Sequence, residues 1–132
     1  MTCCKHERLT AEERRALKLA ESILDELAKL DPSMSVQRAK VLLMIFQEDG
    51  LSNDDISRRA GIEQSKVSRD VQSLSAQNRQ LQPGLGLVEE VRDAVNRRIF
   101  RRYVTDVGKQ QRTWLISRVR QLQAARDQTT IL

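Results

Sequence analysis

The sequence has few of the residues that support disulfide-linked or metal-bound folds. Its 132 residues include two cysteines, the adjacent Cys3 and Cys4, and one histidine, His6. Adjacent cysteines without a third partner cannot link distant segments, which excludes structural disulfides. A zinc site usually takes four ligands at wider spacing, so the sequence predicts no metal site and no cofactor.

Long apolar runs are also missing. The longest, Val41 to Phe46, is far shorter than the roughly 20 residues that a membrane-spanning helix needs. The first eight residues, Met-Thr-Cys-Cys-Lys-His-Glu-Arg, lack the apolar centre of a secretion signal. We therefore expect a cytoplasmic protein that contacts no membrane.

Groups suited to catalysis are equally scarce. The sequence has no Ser-His-Asp set, no phosphate-binding glycine loop and no metal-binding helix motif, and Asp54 and Asp55 fit a helix start better than a catalytic pair. Aromatic residues make up 3% of the chain, few for a protein that stacks the bases of single-stranded RNA. The sequence thus predicts neither an enzyme nor an RNA reader.

What the sequence does contain is a globular composition with excess positive charge. Hydrophobic residues make up 39% and charged residues 31%, which is typical of one folded domain with a solvated surface. A formal net charge of +5 favours an acidic partner, of which nucleic acid is the commonest.

Two helices are predicted at the start of the chain. Thr10 and Glu13 have capping-box spacing. An apolar stripe then follows at steps of three and four, at Leu17, Ala20, Leu24 and Leu27. This pattern predicts a helix that ends near Asp31. The next helix, Val36 to Glu48, is apolar on more than one side, and Gly50 ends it.

A helix-turn-helix is predicted next. Ser52 and Asp55 have N-cap spacing and open a short helix, Gly61 permits a sharp turn, and a second helix runs from about Gln64 to Gln77. The inward positions are Ile56, Ala60, Ile62, Val67 and Val71. The outward residues, which can contact phosphates or base edges, are Gln64, Ser65, Lys66, Ser68, Arg69 and Gln72. An ordinary solvated helix surface has a similar composition, so this helix alone leaves both interpretations open.

A β-hairpin with a basic tip follows. Its strands, Leu87–Val91 and Ile99–Val104, are rich in β-branched and aromatic residues and flank the polar link 92–98. Between residues 92 and 102 there are five arginines, at 92, 97, 98, 101 and 102, and one acid, Asp93. A basic ribbon after such a helix is the arrangement of a DNA-binding wing, with Arg92, Arg97 and Arg98 as the candidates for contact. A hairpin that its charge keeps soluble is the alternative.

Thr105 or Asp106 begins a last helix that we expect to fade after Arg126. Its apolar positions are Val107, Trp114, Leu115, Val119 and Leu122. The predicted fold is α+β and mostly helical. It is a winged helix-turn-helix with a two-stranded β-wing, and it occupies residues 10–126. A tail (1–9) precedes this domain and another tail (127–132) follows it. The first and last helices carry more apolar surface than one small domain can cover, so we expect them to form a homodimer interface.

From about Val36 to Gly108 the sequence resembles the MarR-type winged-helix regulators. In that family a helix-turn-helix is followed by Gly-Leu-Val-Glu-Arg, then Arg-Asp-Pro-x-Asp-Arg-Arg, then Leu-Thr-x-x-Gly. This sequence has, in the same order and spacing, Gly86-Leu87-Val88-Glu89, Arg92-Asp93-Ala94-Val95-Asn96-Arg97-Arg98 and Val104-Thr105-Asp106-Val107-Gly108.

The resemblance implies a sequence-specific regulator of double-stranded DNA, with repression as the expected action. It implies that Arg97 enters the minor groove and that Asp93 helps to orient the tip. The residues that it places on the major-groove helix are Ser65, Lys66, Ser68 and Arg69. It also leaves open a small-molecule effector beside Trp114, although a lone tryptophan on a helix is usually core or interface, and a redox role for Cys3 and Cys4.

The sequence departs from the family pattern in ways that keep a second interpretation open. Asn96 replaces an aspartate and Ala94 a proline, which predicts a more mobile wing. Glu63 stands where a serine often caps the helix, and it caps poorly. The linker from Ser75 to Gly84 is also about eight residues longer than the family pattern. The alternative is a protein-interaction module, an anti-regulator on a winged-helix scaffold.

Overall fold

Helices make up most of the computed structural model, which describes residues 8–76 and 84–130, with side chains to residue 125. The described residues form five helices and three strands: α1 Ala11–Leu30, α2 Val36–Gln47, β1 Leu51–Ser52, α3 Asn53–Ala60, α4 Gln64–Leu74, β2 Val88–Arg92, β3 Phe100–Val104 and α5 Asp106–Thr130. The strands pair antiparallel in the order β1-β3-β2. The predicted class, α+β and mostly helical with a helix-turn-helix and a wing, is confirmed.

Local capping fixes where the helices start. The Thr10 hydroxyl accepts the Glu13 N–H at 3.1 Å while the Glu13 carboxylate accepts the Thr10 N–H at 2.9 Å. Ser52 and Asp55 repeat this box at α3, with 3.1 Å for both bonds. At α5 the Thr105 hydroxyl accepts the Gly108 N–H at 3.0 Å, which decides between the two predicted caps. Each such cap stabilises its helix by about 1 kcal/mol.

One apolar core lies under the helix-turn-helix and the sheet. Its fully buried side chains come from α2, α3, α4 and β2, which is why these elements hold one another in place. They are Val41, Leu42, Ile45, Ile56, Val67, Leu74 and Val88. Of the predicted inward positions, Ile56, Val67 and Val71 are buried, whereas Ala60 and Ile62 are half-buried at the turn.

The sheet has three strands, whereas a two-stranded wing was predicted. The additional strand is β1. Leu51 is buried and pairs with Arg102, and Ser52 pairs with Arg101. Gly50, at a φ of 90°, turns the chain into this strand, and its N–H donates to the Arg102 carbonyl at 2.9 Å. Two residues are too few to show the alternation by which a strand is recognised in sequence.

Helix α4 ends at Leu74, so its predicted end at Gln77 was wrong. Ser75 is extended, with a ψ of 174°. The backbone of the next described segment then takes the carbonyls that a longer helix would use: Leu85 N–H donates to Ser73 at 3.1 Å and Leu87 N–H to Leu74 at 2.8 Å. This return of the chain, which depends on tertiary contacts, ends the helix.

The other element boundaries differ by smaller amounts. Both hairpin strands begin one residue later than predicted, and β2 also ends one residue later, because Arg92 pairs with Phe100. Helix α2 ends at Gln47, one residue early, with Glu48 extended. Helix α5 continues to Thr130, four residues beyond the predicted end at Arg126. The predicted tail residues 1–7 and 131–132, and linker residues 77–83, lie outside the described residues.

Gly108 lets the first turn of α5 closely approach the backbone just before β2. A Cβ at this position would meet the Leu87 carbonyl oxygen at 2.1 Å. The same carbonyl accepts the Thr105 N–H at 3.0 Å. Only a residue without a side chain fits here, which gives the terminal glycine of the Val104–Gly108 motif a packing role.

Helices α1 and α5 pack on each other but leave apolar surface uncovered. Between them Glu26 is buried and accepts Arg118 Nε at 3.0 Å, while Lys29 Nζ donates to it at 3.1 Å. Leu17 and Leu24 of the predicted stripe on α1 remain 60% and 55% exposed. In the described part of the chain, none of the helices is long and apolar enough to cross a membrane.

Candidate nucleic-acid interface

The turn between α3 and α4 sets the position of α4. Gly61 adopts the left-handed conformation at a φ of 68°, where a side chain would be strained. The Gly61 and Ile62 N–H groups both donate to the Ser57 carbonyl, at 2.9 and 3.2 Å. The turn is thereby closed by backbone bonds, and α4 leaves it in a fixed direction.

Helix α4 presents a polar outer surface. Four predicted contact residues are exposed: Gln64, Ser65, Lys66 and Arg69. Ser68 and Gln72 are half-buried, and Gln72 Nε2 donates to the Ser68 hydroxyl at 3.4 Å. The helix therefore presents one cation, Lys66, in its first turn and another, Arg69, in its second, as side chains free to reach a partner in solution.

The start of α4 has no side-chain cap. Glu63 occupies the N-cap position in an extended conformation and makes no cap hydrogen bond. Its carboxylate is exposed. The poor cap expected from the sequence is confirmed. The Glu63 carboxylate accepts no hydrogen bond from the N–H groups of the first turn of α4.

The inner side of α4 is tied to α2 by a buried carboxylate that sequence reasoning missed. Asp70 accepts Gln37 Nε2 at 3.0 Å and Arg38 Nε at 3.4 Å. Arg38 also lies 3.7 Å from the carboxylate of Asp31, at the end of α1. Asp70 thus adds a polar contact to the apolar packing that orients α4 against α2.

The wing tip is folded around Asp93. One carboxylate oxygen accepts the N–H groups of Val95 at 2.8 Å and Asn96 at 3.3 Å, and the other accepts Arg101 Nε at 2.7 Å. These bonds, led by that from Arg101, hold the pKa of Asp93 below its ordinary value. Asn96, in place of an aspartate, accepts the Arg98 N–H at 3.2 Å, so the substitution keeps an acceptor at this turn.

The five arginines of the hairpin divide into two groups. Arg101 and Arg102 turn toward the protein: Arg101 donates to the Gly50 carbonyl at 2.8 Å, and Arg102, only 4% exposed, donates to Asn53 at 2.9 and 3.1 Å and pairs with Glu90. The other three, Arg92, Arg97 and Arg98, are exposed. Among the hairpin arginines, the exposed ones are therefore the three predicted contact residues.

A groove of about 710 Å³ separates α4 from the wing. The predicted contact residues that it brings together are Gln64, Ser68, Gln72 and Arg98. The remaining predicted contact residues are exposed and do not line it: Ser65, Lys66, Arg69, Arg92 and Arg97. Arg92 lies over the ring of Phe100, 4.8 Å from its centre, at the wing side of the groove.

The groove also contains three carboxylates, each paired with an arginine. Asp54 lies 3.1 Å and Asp55 2.9 Å from nitrogens of Arg58, and Glu90 pairs with Arg102. These pairs offset the negative charge next to α4. Lys66, Arg69 and Arg97, which lie outside the groove lining, are exposed cations on α4 and the wing.

Trp114 lines a separate cavity of about 210 Å³ between the end of α1 and the start of α5. Glu26, Lys29 and Leu30 form its other side. The indole is 53% exposed, so it is not a core residue. Cys3, Cys4 and His6, the other residues considered for a site, lie outside the described residues.

No protein-family model and no curated protein matches this sequence. The fold does match solved structures. The S. aureus MepR–DNA complex has a TM-score of 0.70 at 15% identity, over 92% of this chain and 92% of that chain. The adhesin competence repressor AdcR of Streptococcus pyogenes has a TM-score of 0.52 at 18% identity, over 91% and 81%. A MarR-family transcriptional regulator of Silicibacter pomeroyi has 0.56 at 24%, over 83% and 67%.

These likenesses show that the chain has the MarR-like winged-helix fold. They confirm the resemblance predicted from the motifs that begin at Gly86, Arg92 and Val104.

Proposed function

We propose that this chain is a sequence-specific double-stranded DNA-binding transcriptional regulator of the MarR type. The observation that carries the proposal is the joint exposure of α4 and of the wing arginines on either side of one groove. The same fold, over 92% of both chains, occurs in the MepR–DNA complex. An α-helix fits the DNA major groove, and exposed arginines suit the narrow, negative minor groove.

Each predicted contact residue has a place in this docking. Lys66, Arg69 and Gln64 are exposed on α4 and would contact base edges or phosphates in the major groove, with Ser65, Ser68 and Gln72 beside them. Arg97 at the wing tip would enter the minor groove, while Arg92 and Arg98 would contact adjacent phosphates. The hydrogen bonds around Asp93 support these separate roles of the three arginines, because they hold the wing tip in one conformation.

The active form is proposed to be a homodimer formed through α1 and α5. Leu17, Leu24 and Trp114 are each more than half exposed, on the two helices that pack on each other. A second copy of the chain would remove this apolar surface from water. Analytical ultracentrifugation at micromolar concentration should show a dimer, and a monomer alone would count against the assembly.

We further propose that the protein acts in the cytoplasm as a repressor. A dimer seated on a promoter blocks polymerase without any further domain, and one structure of this fold is named a repressor. The cavity beside Trp114 could take a small-molecule effector, which the proposal does not require. We keep residues 10–126 as the proposed extent of the winged-helix domain, with its last helix, α5, continuing to Thr130.

A protein-interaction module is the second candidate. Negative charge near the start of α4 favours this candidate, because it opposes phosphate. The charge comes from Glu63, which makes no cap bond, and from the carboxylates of Asp54 and Glu90. In that case the groove would receive a basic segment of another protein in place of DNA.

Enrichment of random duplexes by the purified protein separates the two candidates. We expect a palindrome whose half-sites lie about one helical turn apart, as two-fold symmetry of the dimer requires. A duplex pool that stays random, at low salt as well as at physiological salt, would contradict DNA reading and favour the protein partner.

A further inference from the structure

Asp54 holds the first residue of α4. Its Oδ1 accepts Gln64 Nε2 at 3.0 Å, across the turn that joins α3 to α4. Its Oδ2 lies 3.1 Å from Arg58 Nε. Both carboxylate oxygens therefore have a partner, and only one of these is on the helix that bears Asp54.

The carboxylate is itself anchored at the start of α3. Arg58 Nη2 donates to Asp55 at 2.9 Å, and Asp55 is bonded to Ser52 through the capping box. A continuous chain of bonds thus runs from the first turn of α3 to the amide of Gln64. In the free protein these bonds therefore favour one position of that amide.

This contact gives the Gln64 amide a fixed polarity. An ionised carboxylate can only accept hydrogen bonds, so the NH2 group of Gln64 must face Asp54. The second amide hydrogen and Oε1 remain available, and Gln64 is exposed. Gln64 then offers one donor and one acceptor side by side, in a known order.

In the major groove this order matches adenine. Adenine presents the N7 acceptor beside the N6 donor, whereas guanine presents two acceptors, N7 and O6. When the amide of a glutamine rotates freely, its NH2 group and its oxygen can exchange places. Such a glutamine can face either base with a donor or with an acceptor. One held by a carboxylate offers only the order that Asp54 imposes.

We propose that Asp54 is a positioning residue that orients the Gln64 amide and thereby creates a preference for adenine over guanine at one base pair of each half-site. The inference rests on the proposed DNA-binding function and deepens it. Asp54 acts through Gln64 and touches no base. In the proposed docking its negative charge, next to Gln64, would also oppose the phosphates of every duplex.

The test measures discrimination at single base pairs. The duplex enriched by the wild-type protein is compared with versions in which each A·T pair in turn is replaced by G·C. The variants are Asp54→Asn, Gln64→Ala and the double substitution. Asp54→Ala serves as a second removal of the carboxylate, and Glu48→Gln is the control, because Glu48 is an exposed acid paired with Arg59 and away from α4.

We expect Asp54→Asn and Asp54→Ala to lower the adenine preference at one position about three- to tenfold, the range of one net hydrogen bond. Binding to scrambled duplexes should become tighter at the same time. Gln64→Ala should abolish the preference at that position, and adding Asp54→Asn should then change it no further. Glu48→Gln should leave the preference intact.

Two results overturn the inference while leaving DNA binding in place. The first is an unchanged preference at every position in both Asp54 variants, and the second is a full Asp54 effect in the Gln64→Ala background. A merely structural role of Asp54 would give the first of these results, accompanied by a uniform loss of affinity for all duplexes. Absence of any enriched sequence with the wild-type protein would overturn the proposed function together with this inference.

Discussion

The contact of Asp70 with α2 leads to the sharpest stability prediction. The side chain of Asp70 is 8% exposed and that of Arg38 is 25% exposed. Removing Asp70 frees two donors that can reach water, because Gln37 and Arg38 are both partly exposed and Arg38 keeps Asp31 nearby. Removing the Arg38 guanidinium instead leaves a buried carboxylate whose remaining side-chain partner on α2 is Gln37.

The two substitutions should therefore differ in cost. Asp70→Ala loses two hydrogen bonds but also removes a desolvated charge, so we expect a loss of about 1–2 kcal/mol in the free energy of unfolding. Arg38→Met keeps the apolar stem and strands the carboxylate. Breaking a fully buried pair costs about 3–5 kcal/mol, and the partial exposure of Arg38 reduces this to about 2–4 kcal/mol. The double variant should cost less than the sum, with a coupling of about 1–2 kcal/mol.

Urea denaturation at one protein concentration measures these values, with the fluorescence of Trp114, the chain's one tryptophan, and far-UV circular dichroism as the two probes. Arg59→Met is the matched control, because its ion pair with Glu48 is more than half exposed on both sides. It should leave the midpoint close to that of the wild type. An Arg38→Met variant that is more stable than Asp70→Ala, or a coupling near zero, would refute the reasoning.

Three further predictions concern the helix start, the wing and the dimer. Glu63→Ser supplies the missing cap of α4 and should raise the free energy of unfolding by about 1 kcal/mol in urea, and a decrease would show that Glu63 has a favourable contact in the folded state. The pKa of Asp93 is lowered in the folded state, first by Arg101, so its stabilising contribution is present at neutral pH and is lost as the pH falls below its ordinary value of 3.8. The stability difference between wild type and Asp93→Asn, followed by denaturation at a series of pH values, should accordingly shrink in acid, and a constant difference would contradict this. Leu24→Glu places charge in the proposed α1–α5 interface and should shift sedimentation toward the monomer, whereas an unchanged dimer would place the interface elsewhere.

The features that could be predicted from the sequence are those with local causes. The capping boxes at Thr10 and Ser52 and the turn at Gly61 depend on residues within one helical turn of each other. The wing motif from Arg92 to Arg98 is likewise contiguous, and its Asp93 bonds span eight residues at most. Such short-range patterns specify their structure before any tertiary contact forms.

The features that were missed depend on long-range contacts. Asp70 meets Arg38 across 32 residues, and Arg102 meets Asn53 across 49. The alternation of β3 could not show that Arg101 and Arg102 turn inward, because both sides of that strand carry charged residues and the partners come from distant turns. The early end of α4 has the same origin, since the carbonyls near its end are taken by Leu85 and Leu87.

The central claim, that α4 and the wing bind different grooves of one DNA, is tested most directly by titrating Arg69→Ala and Arg97→Ala on the enriched duplex and on a scrambled one, at several salt concentrations. Arg69→Ala should lose about 1–3 kcal/mol on the enriched duplex and relax its sequence preference. Arg97→Ala should weaken binding to both duplexes and flatten the salt dependence. Unchanged binding by both folded variants would contradict the docking and leave the protein-interaction module as the better account.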